Sequence, residues 1–143
     1  MHLAIDGYGG DTAKMWDAQL VRDFLVKCPD ELGMTRISEP EVLAYNAPKA
    51  EDSGISGFVI IAESHISIHT FPRREYVNID IFSCLPFDDQ RALAEAKCLF
   101  GLEQVRSWLL ERGLEWLDRR QGLAQVQRQR AALETGGLDQ PHG

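Results

Sequence analysis

Between Gly54 and Ser83 three strand-like segments follow one another with almost nothing between them, and this most limits what the chain can fold into. Residues 57–62 contain Phe58-Val59-Ile60-Ile61, residues 65–71 run His65-Ile66-Ser67-Ile68-His69-Thr70-Phe71, and residues 76–83 contain Tyr76-Val77-Asn78-Ile79-Asp80-Ile81-Phe82. β-Branched and aromatic residues dominate each run, and Arg73-Arg74-Glu75 is a polar turn between the last two. The segments predict an antiparallel meander with Glu63-Ser64 at its first junction. Side chains alternate along a strand, so Ser64 and His69 are expected on opposite faces unless the chain bends at residue 64.

The flanking sequence supplies helices and further strands. His2 to Ile5 reads as a short strand, ended by Asp6-Gly7-Tyr8-Gly9-Gly10. Asp11 or Thr12 can cap a following helix with Trp16, Leu20 and Phe24 as its apolar stripe, closed at Cys28-Pro29. Gly33 to Tyr45 has room for one or two short strands. A long helix is predicted from Asp88-Asp89 to about Leu110, with Ala94, Cys98, Leu102, Val105 and Leu109 on one face and a weak point at Gly101. Gly113 ends or bends it, Leu114 to Leu133 reads as another helix, and Thr135 to Gly143 offers little to bury and reads as disordered. Residues 1–112 are therefore expected as the main domain and 113–143 as a helical, then disordered, tail. Strand, helix, strands, helix in that order predict an α+β two-layer sandwich, a mostly antiparallel sheet with helices on one face.

A chain of 143 residues, 44% hydrophobic and 26% charged, can bury a real core. Its net charge of −7 argues against general nucleic-acid binding. No apolar run reaches membrane-spanning length, and the first residues lack the charged and apolar regions of a signal peptide. Three widely spaced cysteines, Cys28, Cys84 and Cys98, do not form a disulfide framework and fit a reducing cytoplasm. Cys28 and Cys98 read as small buried hydrophobes. His65, His69 and Cys84 do not read as a metal site, because His-x-x-x-His on a strand does not gather both rings as a helix would.

The residues Gly54-Ile55-Ser56-Gly57, Glu63-Ser64-His65-Ile66-Ser67-Ile68-His69-Thr70 and Cys84 resemble the bacterial and archaeal S-adenosylmethionine decarboxylase proenzymes. Leu3-Ala4-Ile5-Asp6-Gly7-Tyr8-Gly9 resembles the opening strand and turn of that family, and nothing past Trp108 does. The resemblance implies self-cleavage between Glu63 and Ser64. The Ser64 hydroxyl attacks the Glu63 carbonyl to give an ester, loss of the serine α-proton expels Glu63 as a carboxylate, and the remaining dehydroalanine hydrolyses to a pyruvoyl group. That ketone forms a Schiff base with a substrate amine and takes up electrons as carbon dioxide leaves. By the same resemblance His69 is the processing base, Ser56 assists by bonding the cleavage-site carbonyl, and Cys84 returns a proton to the substrate. Without the surrounding motif, Ser64 and Ser56 would read as turn hydroxyls and His69 as a hydrogen-bonded sheet histidine. The family further implies spermidine biosynthesis and a homodimer of processed protomers, and the cysteine usage a cytoplasmic location.

Two positions depart from the family. Ala50 stands where an aromatic residue stacks on adenine, and Arg73 stands where a glutamate holds the ribose; Phe71-Pro72-Arg73-Arg74 replaces a typical Trp-Pro-Glu-Tyr. Tyr45, Phe58 and Phe71 are candidate replacement rings, and Glu75 a replacement acid. Asp6, Asp11 and Glu63 are candidate partners for a cationic substrate, although Asp11 also suits a helix cap. S-Adenosylmethionine is the first substrate reading and L-ornithine or L-arginine the second, since both amino acids supply the α-amine and carboxylate that the chemistry needs. A non-catalytic, regulatory homologue is the third.

Overall fold

The computed structural model describes residues 1–112 and 118–136. The chain divides into two compact units, residues 1–112 and 113–143. In the first, β1 (His2–Tyr8) leads into α1 (Thr12–Met15) and α2 (Ala18–Glu31), followed by β2 (Thr35–Arg36) and β3 (Glu41–Tyr45). The meander β4 (Gly54–Ala62), β5 (Ser64–Phe71) and β6 (Tyr76–Ser83) comes next, then α3 (Asp89–Phe100) and β7 (Gln104–Leu110). Two short 3-10 turns, Ala50–Asp52 and Pro72–Arg74, precede β4 and β6. The described part of the second unit is α4 (Arg119–Gly136), whose first turn is capped by the Asp118 carboxylate on the Arg120 and Gln121 amides.

The strands form one sheet in the order β2-β4-β5-β6-β1-β7, with β3 also on β4, and every pairing is antiparallel. Alternation sorts the side chains into two layers. Leu3, Ile5, Val59, Ile66, Ile68, Val77, Ile79 and Ile81 point to one face, where Val21, Phe24 and Leu25 of α2 and Ala92, Ala96 and Phe100 of α3 close the core. The fold is the expected α+β two-layer sandwich. Thr70 is the polar member of the inward row: its hydroxyl donates to the Met15 carbonyl at 2.8 Å and accepts from the Ile55 amide at 2.9 Å.

Several elements differ from the sequence expectation. The first helix is two, because Trp16 ends α1 and the Asp17 carboxylate then caps the Gln19 and Leu20 amides to start α2. Trp16 consequently leaves the stripe and stays 37% exposed. Pro29 lies inside α2, which continues to Glu31. Near a helix end its missing N–H costs one hydrogen bond, and packing of α2 on the sheet offsets that loss. The long helix from Asp88 stops at Phe100, because Gly101 adopts φ +63° and caps it, and Gln104–Leu110 continues as β7. The buried stripe of α3 is Ala92, Ala96 and Phe100, so Ala94 and Cys98 are exposed and only Cys28 is the buried thiol. Thr135 and Gly136 belong to α4; the rest of the segment expected to be disordered, and the start of the predicted Leu114–Leu133 helix, lie outside the described residues.

Candidate functional site

The face of the sheet opposite α2 and α3 carries the chemistry-bearing side chains in rows fixed by register. One row runs Arg106, Asp6, Asn78, His69, Ser56 and Leu43 from β7 across to β3. Within it His69 Nδ1 and Ser56 Oγ share a hydrogen bond of 2.8 Å across the β4–β5 pair. A cavity of about 180 Å³ opens beside them, lined by Leu43, Phe58, Ser67 and Glu41 as well as the two partners. A larger cavity, about 300 Å³, lies on the helix side between α2 and α3. Of the two thiols that line it, Cys28 and Cys98, the buried Cys28 is pushed up to about 12 by burial and then by Glu95 and Glu31, so it stays protonated and unreactive.

Ser64 forms a second cluster at the start of β5. It adopts φ +127°, a region that L-residues rarely occupy, and this breaks the alternation of the strand at its first residue. Its Oγ lies 3.6 Å from Cys84 Sγ, and the Cys84 amide donates to the Glu63 carbonyl oxygen at 3.4 Å. The carbonyl that immediately precedes Ser64 is thus held by a backbone donor. Sequence reasoning missed that donor, because a main-chain N–H leaves no trace in residue identity. Ser64 sits opposite Ser83 on β6, whose own hydroxyl accepts from the Leu85 amide and shapes the turn carrying Cys84.

The two clusters are separate within one chain. Ser64 and His69 are five residues apart on one extended strand, about 16 Å at the usual rise, and His69 faces outward. The bend at residue 64 reaches Cys84, and it does not reach His69.

The remaining candidates are scattered over that face, the turns and the start of α1. Phe71 packs on Tyr76 with ring centroids 5.6 Å apart, and Tyr76 on Tyr8 at 5.2 Å. Asp6 accepts a 2.8 Å hydrogen bond from the Tyr76 hydroxyl. Burial, and then Asp6, push that phenol up to about 12 and keep it a donor. Asn78 Oδ1, beside His69 in register, is buried and has no hydrogen-bond partner among the described residues. Glu75 is exposed in a left-handed turn. Asp11 caps α1 on the Lys14 amide and Glu63 is exposed at the junction. The turns holding Ala50 and Arg73 are neighbours, bridged by Arg74 and Asp52 at 2.7 Å. At the Ser64 end, His2 Nε2 donates to Asp80 at 2.9 Å and Arg112 stacks 4.3 Å over Phe82, an assembly drawn from three distant parts of the chain.

The family model described as S-adenosylmethionine decarboxylase matches residues 1–113. The chain belongs to the S-adenosylmethionine decarboxylase family. A Clostridium botulinum relative, an S-adenosylmethionine decarboxylase proenzyme, is 34% identical over 97 residues, which is 67% of this chain and 78% of the relative. A proenzyme of the same name from Shouchella clausii is 33% identical over 94 residues, 66% of this chain and 68% of that one. The crystal structure of the adenosylmethionine decarboxylase from Aquifex aeolicus superposes with a TM-score of 0.66 at 28% identity, over 79% of this chain and 89% of that one. The matched region ends one residue past Arg112, so α4 lies outside it.

Proposed function

We propose that this chain is a self-cleaving, pyruvoyl-dependent decarboxylase, cut between Glu63 and Ser64. The observation that carries the reading is the Ser64–Cys84 contact with the Glu63 carbonyl oxygen on the Cys84 amide. Attack by the Ser64 hydroxyl turns that oxygen into an oxyanion, and a fixed backbone donor stabilises such a charge. The positive φ of Ser64 adds to this, since a residue held there costs on the order of 1–3 kcal/mol, and cutting the bond to Glu63 releases the restraint. The residues therefore fit a cofactor made from Ser64. A pyruvoyl group supplies a ketone that takes an amine and accepts electrons as carbon dioxide departs. Cys84 is then positioned to give a proton, and the unpartnered Asn78 Oδ1 offers an acceptor to a donor on the substrate.

The 16 Å gap between Ser64 and His69 bears on assembly. A processing base works within hydrogen-bond reach, about 3 Å. We propose a homodimer in which the Ser56–His69 pair of one copy meets Ser64 and Cys84 of the other. The sheet face opposite the helices supports this, because it exposes Leu43 and Phe58 at the Ser56–His69 cavity and Ile60 further along β4.

Denaturing electrophoresis and mass spectrometry test the cleavage. Wild type should give residues 1–63 and a blocked 64–143, and Ser64→Ala a single 16.1 kDa chain. An intact wild-type chain would reject the reading and favour the regulatory homologue. S-Adenosylmethionine is the proposed substrate on family grounds, feeding spermidine synthesis in the cytoplasm. A second reading, L-ornithine or L-arginine, is favoured by the Ala50 and Arg73 turns, which offer neither a ring at residue 50 nor a carboxylate at 73, while Asp52 is engaged by Arg74. Asp6 or Glu75 would then meet the distal cation. Side-by-side kcat/KM values for the three compounds decide between them.

A further inference from the structure

β7 is the last strand of the sheet. It pairs with β1 along one side, and among the described residues no strand pairs with its other side. Such an edge leaves a row of main-chain donors and acceptors open to another strand. Proteins usually blunt such edges with short strands, prolines or inward charges. This edge has seven residues, no proline, and the sequence Gln104-Val105-Arg106-Ser107-Trp108-Leu109-Leu110. Trp108, Leu109 and Leu110 are 43%, 43% and 52% exposed. Leu109 is in register with Leu3 and shares its helix-side face, so a partner on the open sheet face would leave it uncovered.

We propose that β7 is a second interface, at which two copies pair antiparallel, edge to edge, about a two-fold axis through Ser107. The register follows from geometry. Antiparallel strands of two identical copies are related by a two-fold axis normal to the sheet, which keeps each side chain on its own face. Opposed residues must therefore share a face, and the axis must pass through a residue. Centred on Ser107, the pairing sets Val105 against Leu109 on the helix side, twice, and Arg106 against Trp108 on the other side, twice. Apolar pairs and cation–π pairs at directly opposed positions stabilise a sheet. Within one copy the Arg106 guanidinium already lies 5.8 Å from the Trp108 ring, so the two groups share the face on which the cross-strand contact would form. Neighbouring registers are worse. An axis through Arg106 opposes two guanidinium groups, and one through Trp108 sets Val105 against Glu111. In the Ser107 register the ladder ends where Glu103 meets Glu111, and that repulsion limits it to the seven residues of β7.

This interface is separate from the dimer proposed to complete the site, and its test is independent of processing. A Ser107→Cys variant in a Cys98→Ser background places two thiols at the axis, within the Cα separation that a disulfide needs. Mild oxidation should yield a covalent dimer on a non-reducing gel. Arg106→Cys in the same background opposes Trp108, not itself, and should link several-fold less. A Leu109→Lys variant should lower the particle mass measured by light scattering to that of the dimer proposed to complete the site, while cleavage at Glu63-Ser64 proceeds. Equal linking at 106 and 107, or none at 107, overturns the register. An unchanged mass for Leu109→Lys overturns the interface, showing that the edge is free or covered by something other than a second copy.

Discussion

If the base reaches Ser64 from a second copy, two processing-dead chains should rescue each other. His69→Ala retains the nucleophile and lacks the base; Ser64→Ala retains the base and lacks the nucleophile. Within one chain the two residues are separated by five steps of β5, about 16 Å, and the side chains of a histidine and a serine together do not bridge that span. Each variant expressed alone should therefore remain as a single band. Co-expressed in equal amounts with distinct tags, random pairing puts about half of the His69→Ala chains opposite a Ser64→Ala partner. Those chains should cleave into residues 1–63 and 64–143, and the Ser64→Ala chains should stay whole. The assay is a tag-specific blot after denaturing electrophoresis, with native mass spectrometry to count mixed dimers. If mixed dimers form and no His69→Ala chain is cut, the trans arrangement is wrong. If His69→Ala alone matures at the wild-type rate, His69 is not the base.

Cys84→Ala should still process, because the amide that holds the Glu63 carbonyl oxygen survives the change, while decarboxylation by the cleaved protein falls about a hundredfold or more. Normal turnover would assign proton return to another group. Thr70→Val keeps shape and strands two buried groups, the Ile55 amide and the Met15 carbonyl, and should cost about 2–4 kcal/mol in urea unfolding with an unchanged slope. A loss well below that would mean that neither bond matters. Cys28 carries a pH signature: its folded value of about 12 lies above the ordinary 9.0. Below pH 9 folded and unfolded chains both hold the proton. Between 9 and 12 only the folded chain does, so unfolding releases it and stability falls as pH rises. Tyr76, raised from 10.0 to about 12, acts in the same direction. Cys28→Ala should flatten the decline above pH 9; an identical slope would remove Cys28 as its source.

The meander was legible because its strands combine β-branched content with polar joins, and the site motif falls inside it. The capping of α1 by Asp11 was legible for a similar reason, a short side chain at a helix start. β7 was not. Val105 and Leu109 are four apart and fit a helix face as well as alternate positions on a strand, and only the left-handed Gly101 decides between them. The break at Trp16 was hidden because Trp16, Leu20 and Phe24 are four apart whether or not the helix restarts at Asp17. Pairing was partly legible at the site. Ser56, Ser64, His69 and Cys84 were identified from the motif, but which of them touch depends on register. That register joins Ser56 to His69, and Ser64 to Cys84, across strands.

The strand order has a consequence for what a cut at residue 63 leaves behind. Residues 1–63 hold β1 to β4, and residues 64–143 hold β5 to β7. β1 of the first piece is inserted between β6 and β7 of the second, while β4 lies along β5. The two pieces are therefore woven together through three ladders, and neither can slide out along one edge. Parting them requires all three of those ladders to break, so a nicked molecule should melt in one transition, and the break in covalent continuity falls where the fold has no need of it.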